Sequence, residues 1–290
     1  MRSTNTLWIS YSGIRLYDQC PRAYELRYLY RNPKTGNRVQ IVSPFLSLGS
    51  AVHQTIEGIA NLPVQNRFST PLTDRYDEIW KQFKGKAGGF PTDELEREFY
   101  QRGRDMIVRV EKDPGPVKNK AIRISMDLPA FWLSESDQIK LCGQIDWLEY
   151  LEDQDALHII DFKTGSRLEA EDSLQLPIYV LLVTYTQKRP VTKVSYWYLE
   201  REEGLQEQAL PDLVESQDLV LKAAKKVKLA RQLGSFKCAK GSAGCLHCRD
   251  LERVAKGEGE FVGSGIYKDD LFFLSRSTAE QPPEEDSIIL

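Results

Sequence analysis

Asp146, Asp161 and Lys163 fall in two short stretches, Gly143-Gln144-Ile145-Asp146 and Ile159-Ile160-Asp161-Phe162-Lys163-Thr164-Gly165. Side chains along a strand alternate faces, so Asp161 and Lys163 point one way and Ile160 and Phe162 the other. Asp146 belongs to the preceding strand, across a turn at Glu152-Asp153-Gln154-Asp155. Pairing of those strands brings two carboxylates and an ammonium to one end of a sheet. Two carboxylates hold Mg²⁺ or Mn²⁺ through oxygen. The metal polarises a phosphate and acidifies bound water. A lysine beside it orients or deprotonates that water, or stabilises the developing negative charge. Such a set suits phosphodiester hydrolysis. Asp-x-Lys alone is more often a strand-end ion pair, but here it follows Leu157, Ile159 and Ile160, where a charged pair is costly unless paired or liganded.

Two further pairs bear on the same chemistry. His53, with Glu57 one helical turn on and on the same face, offers a nitrogen ligand, although a lone helical histidine is more often a surface or core residue. Gln175 and Tyr179 share a face of a predicted helix, within reach of the phosphate or the lysine. Separately, Cys238, Cys245 and Cys248 crowd into eleven residues, and Cys245-x-x-Cys248 has metal-ligand spacing. Cys20 is the candidate fourth thiolate. The odd total of five cysteines does not suggest a disulfide framework. The bland alternative is a set of free, buried thiols. Cys142 reads as a small core residue and His247 as a bystander.

These residues need elements to place them. Helices are predicted over about 10–30, capped by Ser12 and restarted by Pro21 after Cys20, and over about 48–60. Two amphipathic helices follow between 73 and 110, broken near 85–91. Strands are predicted at 121–133, 139–151, 156–163 and 191–199. A helix over 173–186, capped by Ser173, precedes the fourth strand, and a basic helix spans 217–233. The order of elements is α/β, one domain over 1–275 with a helical insertion at about 62–118. The acidic, proline-containing stretch 276–290 reads as a disordered tail.

Taken in order, these motifs resemble the RecB/AddB-like branch of the PD-(D/E)XK nuclease superfamily that carries an iron–sulfur cluster, including the CRISPR-adaptation exonucleases. Cys20-Pro21-Arg22-Ala23-Tyr24 resembles its opening cysteine helix, and Leu48 to His53 its histidine motif. Gly143-x-x-Asp146 with Asp161-Phe162-Lys163-Thr164-Gly165 resembles its metal-binding core. Gln175-x-x-x-Tyr179 resembles its last motif, and the late cysteines resemble its cluster ligands. The resemblance implies a restriction-endonuclease-like fold: a central mixed sheet flanked by helices, with a cysteine cluster joining the N- and C-terminal helices. It implies His53, Asp146, Asp161 and the Phe162 backbone carbonyl as metal ligands and Lys163 as the catalytic lysine. Gln175 and Tyr179 then position DNA or the lysine, and Cys20, Cys238, Cys245 and Cys248 hold a [4Fe-4S] cluster. The extra cysteine of that family follows its Cys-x-x-Cys pair, whereas Cys238 precedes it here. A structural Zn²⁺ is therefore the alternative occupant.

The expected partner is DNA, acted on as single-stranded ends in repair, recombination or CRISPR spacer acquisition. No helicase motif is present, so a helicase or integrase partner is expected. The alternative is a non-catalytic nucleic-acid-binding subunit of such a complex. Lys222, Lys225 and Lys226 on the basic helix, and Arg22 among the N-terminal arginines Arg15, Arg22 and Arg27, are the candidate phosphate contacts. The formal net charge of −3 does not oppose this: the last fifteen residues carry four acids against one base, which accounts for all of it. Hydrophobic residues at 41% and charged residues at 28% exclude collagen-like, mucin-like and wholly disordered chains. The longest apolar run, Ile178 to Tyr185, is too short to span a bilayer, and the N-terminus lacks a signal-like apolar core, so the expected location is cytoplasmic.

Overall fold

The computed structural model describes residues 6–122, 128–201, 204–265 and 267–275. The elements, in chain order, are β1 (Leu7–Ile9), α1 (Tyr11–Gln19), α2 (Pro21–Tyr24), β2 (Val39–Ile41), α3 (Pro44–Gly58), α4 (Leu72–Trp80) and α5 (Asp93–Lys112). There follow β3 (Ala130–Ser134), β4 (Ile139–Cys142), β5 (Trp147–Leu151), β6 (Ala156–Lys163), α6 (Gln175–Thr186), β7 (Val191–Tyr198) and β8 (Leu205–Gln208). The last are α7 (Leu213–Leu233), α8 (Arg249–Ala255), β9 (Glu260–Ser264) and β10 (Asp270–Phe273). The predicted tail, 276–290, and part of the predicted strand 121–133 lie outside the described residues.

The central sheet runs β5-β6-β7-β8 and is mixed: β5 and β6 form an antiparallel hairpin, β6 and β7 are parallel, and β8 returns antiparallel. The parallel step is crossed by α6, as such connections require. Every residue of β6 is buried. Leu157 and Ile159 enter one core with α6 and α7, whereas Ile160 and Phe162 enter another with α3, α4 and α5. A strand covered on both faces has no solvent side, so apolar residues fill both faces and its polar residues, His158, Asp161 and Lys163, each take buried partners. α6 is apolar all round for the same reason, packed between α7 and strands of two sheets. This is the α/β arrangement the motifs imply.

Several local expectations are corrected. The stretch 139–151 is two strands in two sheets: β4 pairs with β1 and β3, and β5 pairs with β6. The break falls at Gly143, where a Cβ would lie 2.9 Å from Leu182 Cδ1 of α6. Asp146 therefore opens β5 instead of ending a longer strand. Ser10, not Ser12, caps α1, its Oγ accepting from Gly13 N. Ser173 precedes α6 by two residues and accepts from Gln175 N at 3.3 Å. β1, β2, β8, β9 and β10 add short strands beyond those predicted. No described helix is long and apolar enough to cross a membrane.

Inside the sheet, His158 Nδ1 meets Glu149 Oε2 at 2.7 Å and His158 Nε2 meets Ser195 Oγ at 2.8 Å. Asn119 Nδ2 donates to Glu149 at 2.6 Å. A serine–histidine–carboxylate chain is also a catalytic arrangement, but Ser195 is 0% exposed and no substrate reaches it. The network braces β5, β6 and β7. Burial pushes the Glu149 carboxyl up, but the His158 and Asn119 hydrogen bonds overcome this and hold it below its ordinary value. A depressed folded-state pKa adds stability above the unfolded value and loses it as pH falls through the folded one. Glu149→Ala should cost about 1–3 kcal/mol in urea denaturation at neutral pH, the usual cost of orphaning a buried partner. The difference between wild type and Glu149→Gln should shrink as pH falls below about 4.5.

Candidate active site

β6 delivers Asp161 and Lys163 to the α6 side of the sheet, and α6 begins beside them. Lys163 Nζ donates to Gln175 Oε1 at 2.5 Å, and Gln175 Nε2 donates to Asp161 Oδ1 at 2.8 Å. Gln175 Nε2 also reaches Tyr179 Oη at 3.3 Å, one helical turn on. Lys163 Nζ lies 3.1 Å from Asp161 Oδ2 and 3.0 Å from Glu169 Oε2, with the Tyr196 ring centroid at 5.1 Å. Asp146, at the mouth of β5, accepts from Phe162 N at 2.8 Å. From α3, His53 Nδ1 lies 3.6 Å from Asp146 Oδ2 and 3.1 Å from Glu57 Oε1. The Phe162 ring meets His53 edge-on at 5.7 Å.

The electrostatics are those of a site short of positive charge. Burial lifts Asp161 to about 7, with Asp146 adding to the rise against the pull of Lys163. Burial also raises Asp146, although His53 opposes it. Burial disfavours the His53 imidazolium, yet Asp146, Glu57 and Asp161 overcome this and push it to about 9. Lys163 loses solvation on burial but is raised by Asp161 and Glu169, so it stays an ammonium. The largely buried Asp146 and Asp161 and the part-exposed Glu57 crowd one corner, and a bound dication offsets such a set. The donor set fits one: one ligand atom each from His53, Glu57 and Asp146 lie within 4.8 Å of one another. His53 Nε2 is buried without a hydrogen-bond partner, and Asp161 Oδ2 has only its ion pair.

His53, Asp146, Asp161, Phe162, Lys163, Gln175 and Tyr179 thus line one cavity of about 470 Å³. The Phe162 group that hydrogen-bonds at the site is its N–H, to Asp146. Arg15, Arg27 and Arg38 line the same cavity, with Tyr28 and Tyr267. A groove of about 690 Å³ shares Tyr11 and Arg15 with it and runs past Arg167 to Leu246 and His247.

Four candidates are not brought to the cavity. Arg22 pairs with Glu252 at 2.5 Å and Glu25 at 2.6 Å, seaming α2 to α8. Lys222, Lys225 and Lys226 are exposed on α7, whose opposite face packs Val220, Ala223, Ala224 and Val227 into the core. Lys225 pairs with Asp137 at 2.8 Å.

Two residues were missed as site groups. Glu57 was seen only as sharing the face of His53. Glu169 lies in the aperiodic loop after β6, with no pattern to mark it. It is buried, takes a 2.6 Å hydrogen bond from Tyr11 Oη, and gives its backbone N–H to Tyr198 Oη at 2.9 Å.

The cysteine site is a second assembly. Cys20, Cys238, Cys245 and Cys248 each place Sγ within 4.8 Å of the others. They sit in a small core with Ala23, Leu26, Leu251 and Val254.

A family model described as the PD-(D/E)XK nuclease superfamily matches residues 8–250, a span that takes in the cavity residues named above apart from Tyr267, and all four cluster cysteines. No curated protein matches the chain. Gln175→Leu should leave Lys163 and Asp161 each short of a partner. Its urea-denaturation stability should fall by about 1–3 kcal/mol.

Proposed function

The chain belongs to the PD-(D/E)XK nuclease superfamily, and from that premise we propose that it is a Mg²⁺- or Mn²⁺-dependent deoxyribonuclease acting on single-stranded DNA ends. The observation that carries the reading is the convergence of Asp146, Asp161 and Lys163 on one cavity, with Gln175 bonded to both Asp161 and Lys163. His53, Asp146 and Asp161, with the Phe162 backbone carbonyl and Glu57, would hold the metal. When bound, the metal supplies Lewis-acid polarisation of the phosphate and a more acidic water.

The chain's own residues do the rest. Lys163, held as an ammonium, stabilises charge growing on the phosphate and orients the attacking water. Gln175 fixes the lysine head and Asp161 together. Glu169, itself held by Tyr11, is the lysine's second anionic neighbour and keeps it in place. Arg15 and Arg38 face the guest's phosphates, and Tyr28 and Tyr267 offer ring faces to its bases. A cavity of about 470 Å³ has the size of a small-molecule site, on the scale of a nucleotide or two. The groove from Tyr11 to His247 gives a single strand a path onward. The setting is repair, recombination or CRISPR spacer acquisition, beside a helicase or integrase that supplies the strand.

End-labelled linear and circular single-stranded DNA, incubated with Mn²⁺ or with EDTA, test the reading. Wild type should degrade the linear substrate only, and EDTA should stop it. Asp161→Ala and Lys163→Ala should each lose at least about a hundredfold in rate, the scale of a lost electrostatic stabiliser. Full activity in both variants would falsify the assignment. Glu169→Gln should lower kcat about tenfold, because Glu169 pairs with the lysine, with a smaller change in KM, since Glu169 also lines the onward groove; a change confined to KM would remove that role.

A further inference from the structure

The resemblance to iron–sulfur nucleases implies a [4Fe-4S] cluster at Cys20, Cys238, Cys245 and Cys248, and the geometry of the four thiols disagrees with it. All four Sγ atoms lie within 4.8 Å of one another, and Cys245 Sγ to Cys248 Sγ is 3.8 Å. Four sulfurs at about 2.3 Å from a single tetrahedral ion are about 3.8 Å apart along every edge. In a cubane each thiolate ends on its own iron. Every sulfur–sulfur edge is then longer by an iron–iron separation, and the 4.8 Å span leaves no room for that. We infer that the four cysteines form a closed structural zinc site.

The surroundings agree with a single ion. Cys20 and Cys248 are buried, at 2% and 1% exposure, and all four donors are protein thiols, so no position stays open for water or substrate. Backbone N–H groups already point at the sulfurs: Cys245 N donates to Cys248 Sγ at 3.2 Å and Lys240 N to Cys238 Sγ at 3.4 Å. Such donors orient thiolates on a metal and share their charge. Gly244 turns the chain at φ 70°, and a Cβ there would press to 3.3 Å from Cys248 Sγ. The spacing, with the extra cysteine ahead of Cys245-x-x-Cys248, also departs from the cluster family's order.

A zinc site here has a mechanical consequence. Cys20 directly precedes α2, and Tyr24, Arg27 and Tyr28 just beyond it line the cavity. Arg22 and Glu252, 230 residues apart, pair beside the same thiols. The ion closes that long loop and holds one cavity wall.

The inference does not rest on the nuclease reading, and its test reads metal, not activity. Full-length protein, grown with iron and zinc both supplied and purified anaerobically, should carry one zinc per chain, without acid-labile sulfide or visible absorbance. Zinc-edge X-ray absorption should report four sulfur neighbours at about 2.3 Å. That signature separates this site from zinc captured by nitrogen and oxygen at His53, Glu57 and Asp146. Iron with matching sulfide, zinc with nitrogen and oxygen neighbours only, or a folded protein with neither metal overturns the inference.

Discussion

A lysine and an aspartate buried at the end of the central strand are the constraint on which the rest of the molecule depends. β6 has no exposed residue, so Asp161 and Lys163 are largely withdrawn from bulk water and face only the cavity they line. A buried ammonium needs partners for its protons and its charge: Lys163 donates a hydrogen bond to Gln175 Oε1 and forms ion pairs with Asp161 Oδ2 at 3.1 Å and Glu169 Oε2 at 3.0 Å. Meeting that demand sets the course of the chain. The loop after β6 folds back to bring in Glu169, and α6 starts where its first residue, Gln175, reaches both charges. Tyr11 on Glu169 then ties α1 to the sheet, which places Arg15, one turn further on, at the cavity. The polar network is the cost of a buried charge pair, and it is also what fixes the pair's geometry.

The opposite wall is built from the two ends of the described chain. β2 pairs with β10, and Asp269 receives Arg27 and Arg38, each at 2.9 Å. Asp270 takes hydrogen bonds from Asn32, Thr35 and Asn37. The thiol site and the Arg22–Glu252 pair lie in the same assembly. These contacts join segments far apart in sequence, so they contribute only once the chain is closed and its loop entropy lost. A metal among the thiols is the kind of clip that offsets such a cost.

How much of this was legible in the sequence follows from range. β6 showed itself because a continuous apolar run bounded by turns and ending in Asp-Phe-Lys has one reading. The helix carrying Gln175 is apolar all round and has no period; Ser173 ahead of it and Pro177 in its first turn mark its start. The β4–β5 break did not: it falls at Gly143, close against Leu182 of α6, a long-range contact no local pattern contains. β1 and β2 hold three residues each, too few for alternation to register. Ser10 and Ser12 are equivalent by residue type, and only the hydrogen bond to Gly13 N distinguishes them. Glu169 was silent, since a buried carboxylate in an aperiodic loop looks like any solvated one until the lysine beside it is seen.

The basic helix shows why charge is harder to read than apolar pattern. α7 packs Val220, Ala223, Ala224 and Val227 inward, and helical geometry then turns Lys222, Lys225 and Lys226 outward. Their exposure follows from that packing and carries no information about a cleft. Arg27 and Arg38 are different: both line the cavity while sharing one buried carboxylate, Asp269, so the wall keeps more cationic than anionic charge at that point. Of the charged groups lining the cavity, Asp146 and Asp161 sit at the central sheet, Glu57 belongs to α3 and Arg15 to α1, while Arg27 and Arg38 both pair with Asp269. A polyanion that must approach a dication held by acids meets repulsion from those acids until the metal neutralises them. On the proposed reading, Arg15 and Arg38 would hold its phosphates without competing for the metal ligands. Guanidiniums in the cavity itself bear on that reading more than any count of basic residues on the chain.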